Sequence, residues 1–379
     1  MGSGVTPPLR VAVIGSGIAG LACALAVARA GASVQVFDAR GGLPDVPAHV
    51  VIVPNMLRDL VALGVADDCL RLGFPYLATR VLDALGQLQF SIGTERLAGP
   101  RYPAALGITH SALVKVLAAA AAGLGVTWQW NAPVHAIDGT GTRPRLRHGE
   151  AGTHEADLVL LAAGAASPLR RRLFDQLPWR AALAQEWWYL LAAQPVAQDG
   201  ATMVMGRAGH KVIVVPVSAQ AYGLAMTRPA PAPGDADRAV RGADWRAGVG
   251  PLPDAIASIV RHVAEDTPVV VRPVRGEILP APWHHGAVLC VGECAHAMPP
   301  QFGQAAAQAV EDALVLHDLL KRGTTVHDIG ANYTARRQAR VRHVFDTTWQ
   351  AARWDAAPEC DTDLRALAGE LARTVAVPA

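Results

Sequence analysis

The feature that most limits the fold lies near the start of the chain. Residues 9–14 are apolar except for Arg10, as expected of a strand buried on both faces of a parallel sheet beyond its first residues. Gly15-Ser16-Gly17-Ile18-Ala19-Gly20 follows at once. Residues 18–30 then read as an Ala- and Leu-rich helix stopped at Gly31, and residues 33–37 alternate as a second strand. This is a βαβ opening with a G-x-G-x-x-G turn between strand and helix. Gly15 permits the tight turn, Gly17 leaves the backbone bare for a pyrophosphate, and Gly20 lets helix and strand approach. The helix start offers unpaired N–H groups and a positive dipole end to phosphates. Asp38 closes the second strand about twenty residues on, where an acid accepts from a ribose diol. Ala39 and Arg40 follow it. Arg40 reads either as a phosphate partner or as a plain surface charge. The turn by itself does not tell NAD from FAD.

Composition narrows the remaining classes. The 379 residues are 51% apolar and 17% charged, which excludes a disordered chain. A net charge of +2, with no basic patch interleaved with aromatics, argues against a nucleic-acid binder. The uncharged stretch 11–28 is interrupted by glycines and reads as strand plus helix, so no membrane span and no signal peptide are expected. Five cysteines (Cys23, Cys69, Cys290, Cys294 and Cys360), odd in number and irregularly spaced, fit a reducing, cytoplasmic setting. Cys290, Cys294 and His296 have no second ligand pair nearby, so no metal is expected. His284 and His285 are adjacent and read as loop residues.

Further along, residues 54–63 and 111–122 read as helices, and 80–92 as a hairpin around Gly86. Residues 126–130, 134–137 and 158–162 read as strands. From about Trp187 the chain becomes sheet-rich, with strands at 187–192, 202–205, 211–217 and 222–226, and one or two at 269–278. A Pro/Ala loop spans 229–233, a helix 254–264, and another strand 287–291. Helices 304–321, 329–354 and 363–374 close the chain. The fold class is therefore α/β, a Rossmann-like nucleotide-binding domain with an inserted sheet-rich domain and a C-terminal helical segment. Residues 9–80, 100–180 and 280–354 make the first, 81–99 and 181–279 the second, and 355–379 a terminal helix and tail.

The stretch from Gly292 to Ala313, GECAHAMPPQFGQAAAQAVEDA, resembles the FAD-contacting motif of the class A flavoprotein monooxygenases, the p-hydroxybenzoate hydroxylase-like family. The family pattern reads approximately GDAAHxMxPxxGQGxNxxxEDA, and the spacing is kept throughout. The strand at 158–162 with Gly164, Ser167 and Arg170 resembles the family's DGxxSxxR element, which is linked to FAD and NAD(P)H binding. Pro54-Asn55 with Leu60 and Leu63-Gly64 resembles the segment after the second strand. Tyr333, Arg336, Arg337, Arg340 and Val341 resemble the closing helix; its Arg-rich face reads as solvated, with no site there. The resemblance implies FAD as cofactor, with NADPH or NADH as transient reductant. It implies hydroxylation of a small aromatic substrate with O2 through a flavin C4a-hydroperoxide, the cofactor carrying the chemistry. It implies FAD contacts at Gly15, Ser16, Gly17, Ile18, Ala19, Gly20, Asp38, Ala39, Arg40, His110, Ala163, Gly164, Arg170, Gly292, Glu293, Pro300, Gly303, Gln304 and Ala305.

Five positions depart from the family pattern. Glu293 replaces an Asp that accepts from the ribityl chain, and Ala305 and Ala307 replace Gly and Asn. Ala163 replaces an Asp that orders the loop, and His110 stands where Arg is usual. Between the inserted sheet and the Pro299-Pro300 loop, the pocket candidates are Trp187, Trp188, Tyr189, Met203, Met205, His210 and Pro300. Alternation puts Trp187 and Tyr189 on one face, and Met203 and Met205 on one face, without saying which face is the pocket. His210 reads as a possible base or as an exposed loop residue, and His296 as structural. Two other readings stay open: a flavin-dependent dehydrogenase or reductase, and a catalytically degenerate flavin-binding paralogue. The absence of a W-x-W-x-I-P stretch speaks against a halogenase. No nucleic-acid or membrane partner is expected, and a homodimer is the default assembly.

Overall fold

The computed structural model describes residues 7–93, 95–174, 179–206, 209–230, 239–357 and 362–379. Cys360 and residues 231–233 of the expected Pro/Ala loop lie outside them. The opening βαβ unit is present as strand Arg10–Ile14, helix Ile18–Arg29 and strand Ser33–Phe37. It belongs to a six-stranded sheet. In spatial order the strands are His284–His285, Val288–Cys290, Leu158–Leu161, Arg10–Ile14, Ser33–Phe37 and Thr127–Gln129. All are parallel except the first, which runs antiparallel to Val288–Cys290. The helix Ile18–Arg29 packs against helices Gln304–Lys321 and His110–Gly123. Its Ala-rich sequence, with Leu21, Cys23, Leu25 and Val27 all buried, permits that double contact. The strand Val288–Cys290 returns to this sheet after the long insertion, as the sequence reading requires.

A second, eight-stranded sheet is built mainly from the insertion, with His296–Ala297 at the edge beside Val270–Ile278. Its central strand Trp179–Ala193 pairs antiparallel with Val270–Ile278 on one side and Ala221–Pro229 on the other. Lys211–Ser218, Ala201–Met205 and the hairpin Ala78–Asp83/Leu88–Gly93 continue outward. Register assigns the two faces. Trp188, Leu190, Val212, Val214, Leu224 and Met226 are buried against helices Gly242–Gly248 and Asp254–Arg261 through Trp245, Ile256 and Ile259. Trp187, Tyr189, Ile213, Ala225 and Val274 occupy the opposite face and meet Ala352 and Trp349 of helix Val326–Ala356. Strand His49–Ile52 also lies on that face. Its approach requires a glycine, since a Cβ at Gly223 would lie 2.4 Å from the Cβ of His49.

The structure corrects several sequence expectations. The strand expected at 187–192 spans Trp179–Ala193, and 269–278 is one strand, Val270–Ile278. His284 and His285 form a short edge strand rather than a loop. Strands His49–Ile52, Phe74–Tyr76, Ala105–Thr109, Arg145–His148 and Gly152–Glu155 had no expectation. They are three to five residues long, too short for periodicity to register. The Arg-rich face of Val326–Ala356 is not solvated, because Arg337 is wholly buried. No described helix is long and apolar enough to cross a membrane.

Candidate active site

Open α/β sheets bind ligands at the carboxyl ends of their parallel strands. The Gly15–Gly20 turn sits there, with Gly15 N–H donating to Phe37 O at 2.8 Å. A Cβ at Gly20 would lie 1.9 Å from Gly15 O, so this position sets the close packing of helix on turn. Gly17 is different. Nothing lies within 4 Å of where its Cβ would be, so packing within the chain does not itself require a glycine there. It begins the Ile18–Arg29 helix, whose first turn carries no acid and whose cap takes no side-chain bond. A pyrophosphate fits that cradle.

Asp38 accepts from Ser16 N–H (2.8 Å), Ser16 Oγ (2.7 Å), Arg40 N–H (2.9 Å), Arg40 Nε (2.9 Å) and Arg40 Nη2 (2.7 Å). Burial pushes its carboxyl up, but these donors outweigh burial and hold it well below the usual range. The acid therefore ties the turn to Arg40, whose outer face is exposed beside exposed Ala39. His110 opens its helix next to this corner. Its pKa is lowered by burial, then by Arg272 and Arg40, and its buried Nδ1 has no partner among the described residues.

On the other side of the turn, Gly164 and Gly292 bring two loops together. The nearest atom to a Cβ at Gly164 would be Glu293 Oε2, at 3.9 Å, and a Cβ at Gly292 would collide with Ala19. Glu293 and Ala163 are exposed. Ser167 caps the short helix Pro168–Leu173 by accepting from Arg170 N–H. The Arg170 guanidinium is buried, donating to Cys294 O at 3.2 Å and pairing with Glu277 of the inserted sheet. It is a strut between loop and sheet, committed to protein partners.

The Pro299-Pro300 loop turns through Phe302 and Gly303, both at positive φ, into helix Gln304–Lys321. Gln304 points inward and bonds Asn55 and Gln308. Ala305 is half-buried in the first turn. Ala307 is fully buried in the apolar core, so its lost amide is a matter of packing. A buried ionic network anchors this unit from behind. Asp312 accepts from Gly292 N–H, His296 Nε2 and Arg337 Nε at 2.9, 2.7 and 2.7 Å. Arg337 also pairs with Glu311 and donates to Gln308. Burial raises the Asp312 carboxyl, yet His296 and Arg337 prevail and hold it at about 2.

Facing this loop is the Trp187/Tyr189 side of the inserted sheet, the alternative the sequence left open. Trp187 and Tyr189 stack at 5.7 Å. Register aligns Met205, Lys211, Thr227 and Trp187 in one cross-strand row, and Met203, Ile213, Ala225 and Tyr189 in the next. Trp188 points to the helix-covered face and leaves the pocket set. His210 is exposed in the turn before Lys211 and does not join the rows. Sequence reading missed His49, whose ring meets Tyr189 edge-on at 5.8 Å and whose buried Nδ1 has no partner among the described residues. Burial lowers its pKa to about 4. It also missed Lys211, buried and paired with Asp355 at 2.6 Å. A lysine in the inward phase of an apolar strand was the available signal for the second; an isolated histidine in a Val-rich run was a weak one for the first.

A glycine-rich cradle on a parallel sheet, beside a second sheet that presents stacked aromatics, is the frame of a dinucleotide-dependent oxidoreductase. The chain belongs to the FAD binding domain family, which matches residues 8–348, and is a FAD-dependent monooxygenase by class. The YetM protein of Bacillus subtilis is 25% identical over 345 residues, covering 90% of this chain and 92% of that protein. The 6-hydroxynicotinate 3-monooxygenase of Bordetella bronchiseptica is 26% identical over 374 residues, covering 90% and 91%. Among solved structures, Klebsiella pneumoniae HpxO complexed with FAD and uric acid superposes with a TM-score of 0.81 at 20% identity, over 97% of this chain and 96% of that one.

Proposed function

We propose that this chain is a NAD(P)H-consuming monooxygenase that hydroxylates an aromatic or heteroaromatic small molecule. The observation that carries this reading is the stacked Trp187–Tyr189 pair on the sheet face turned toward the Pro300–Gly303 loop. FAD would be held by the Gly15–Gly20 turn, Asp38, Arg40, His110, Gly164, Glu293 and the Gly303 loop. When bound, it supplies hydride acceptance from NADH or NADPH and activation of O2 at its C4a position. The protein's own part is to bind the ring against Trp187 and Tyr189, exclude water and orient one edge to the loop. His49 is neutral at pH 7 and offers Nδ1 as a hydrogen-bond partner beside Tyr189. One dinucleotide turn implies that the reductant binds transiently at the surface.

The same reading assigns residues 9–80, 100–180 and 280–354 to the FAD-binding domain and 81–99 and 181–279 to the substrate domain. It places the enzyme in the cytoplasm, in keeping with free, buried Cys23, Cys69, Cys290 and Cys294, and as a homodimer by default. The test is spectroscopic. Protein incubated with FAD and desalted should keep a flavin spectrum that bleaches anaerobically with NADPH or NADH. Aromatic ligands should accelerate the bleaching, and 18O2 should label the product. Bleaching without label would make the chain a reductase. Retained flavin that never bleaches, with or without ligand, would make it a degenerate paralogue.

A further inference from the structure

The Lys211 row and the loop beside it hold three buried polar atoms with no partner among the described residues. Lys211, Thr227 and Trp187 are successive cross-strand neighbours on three adjacent strands, 7%, 1% and 4% exposed. The Lys211 ammonium lies 5.9 Å from the Trp187 ring centre. Asp355, at the end of helix Val326–Ala356, accepts from it through both oxygens at 2.6 Å. Gln301, in the loop after Pro300, donates to the same carboxylate at 3.0 Å. Trp187 Nε1, Thr227 Oγ1 and Gln301 Oε1 are buried with no partner among the described residues. Buried polar atoms are otherwise almost always paired, and leaving one unpaired is costly.

The inventory of those atoms defines what completes them. Lys211 has three N–H bonds, of which Asp355 takes two. The remaining N–H, the Trp187 indole N–H and the Thr227 hydroxyl are donors; the Gln301 carbonyl is an acceptor. The charges of Lys211 and Asp355 cancel. A carboxylate would bring an unmatched charge into a buried, already neutral site. An uncharged group with an acceptor oxygen beside an N–H or O–H matches all four atoms.

Resting on the monooxygenase reading, we propose that Lys211, Thr227, Trp187 and Gln301 form the polar end of the substrate cavity, and that it selects a ring bearing a neutral cyclic amide or its hydroxy-heteroarene tautomer over an aryl carboxylate. Gln301 adjoins Pro300 and Trp187 stacks on Tyr189, so this end holds the ring's polar edge while its face lies against the aromatics.

The experiment uses FAD-loaded protein and two probes, 2-hydroxypyridine and benzoate, with Kd read by calorimetry and by perturbation of the flavin spectrum. Hydroxypyridine should bind at least ~10-fold more tightly. Thr227→Val, nearly isosteric, should weaken it ~5- to 10-fold, as expected for one lost hydrogen bond, and leave benzoate unchanged; Trp187→Phe, which also trims the stacking surface, should weaken hydroxypyridine more than benzoate. Flavin retention and circular dichroism certify folding, and either variant alone decides. Equal or tighter binding of benzoate, no binding of either probe, or variants within twofold of the parent would overturn the proposal. Its fate separates from that of the monooxygenase reading. Variant-sensitive hydroxypyridine binding without oxygen insertion would retain this site and reject the activity. Turnover of aryl carboxylates unaffected by the variants would do the reverse.

Discussion

Gly17 and Gly20 show how two glycines of one motif do different work. Gly20 has no room for a Cβ, whereas Gly17 has open space and an ordinary φ of −76°. Gly17→Val should therefore leave the unfolding free energy of the apoprotein within ~1 kcal/mol, as for a surface change, and abolish FAD retention after desalting. Gly20→Ala should cost stability outright, seen as a lowered thermal midpoint even without FAD. The motif alone does not separate these roles, because both residues satisfy the same pattern. His49 makes a second prediction at this scale. Its pKa is lowered from 6.5 to about 4 on folding, so the folded state favours the neutral ring. The stabilisation is full above pH 6.5 and is lost as pH falls from 6.5 toward 4. Urea unfolding at pH 7.5 and 4.5 should show His49→Gln losing ~2 kcal/mol less than the parent over that interval.

At the scale of elements, helix Val326–Ala356 carries the largest surprise. Its arginines looked solvent-facing, since hydropathy cannot distinguish a buried paired Arg from an exposed one. Arg337 instead joins Asp312, Glu311 and Gln308 of helix Gln304–Lys321, and Arg340 pairs with Glu311. Arg337→Met should remove the buried cation shared by two buried carboxylates, leaving Glu311 to Arg340 and Asp312 to His296, and cost ~3 kcal/mol by denaturant unfolding. Because Asp312 also accepts from Gly292 N–H, FAD affinity should fall with it. The network predicts an acid limit as well. The Asp312 carboxyl drops from its usual 3.8 to about 2, so its stabilisation is intact above pH 4 and disappears as pH falls toward 2. The Gln304–Lys321 helix, by contrast, was legible in sequence, since its signature run and its start after Gly303 are local.

For the whole molecule, the proposed FAD contacts would come from segments distant in sequence: the 15–20 turn, Asp38, His110, Gly164 and Glu293. A ligand spanning them stabilises the folded state alone, so FAD at one hundred times its Kd should add ~2.7 kcal/mol to unfolding, measured as a rise in thermal midpoint. Gly17→Val should cancel that rise.

The sequence by itself determined the βαβ opening, the long helices, the return of strand Val288–Cys290 and the family. Each rests on local periodicity, turn chemistry or a contiguous motif. It also paired Trp187 with Tyr189, because alternation along one strand is local. Only the tertiary structure decided that their face, and not that of Trp188, meets helix Val326–Ala356, since that depends on which side two distant helices cover. It alone placed His49 beside Tyr189 and Lys211 with Asp355 and Gln301. Those partners are far apart in the chain, and what joins them is the burial of polar groups that must find one another once water is excluded.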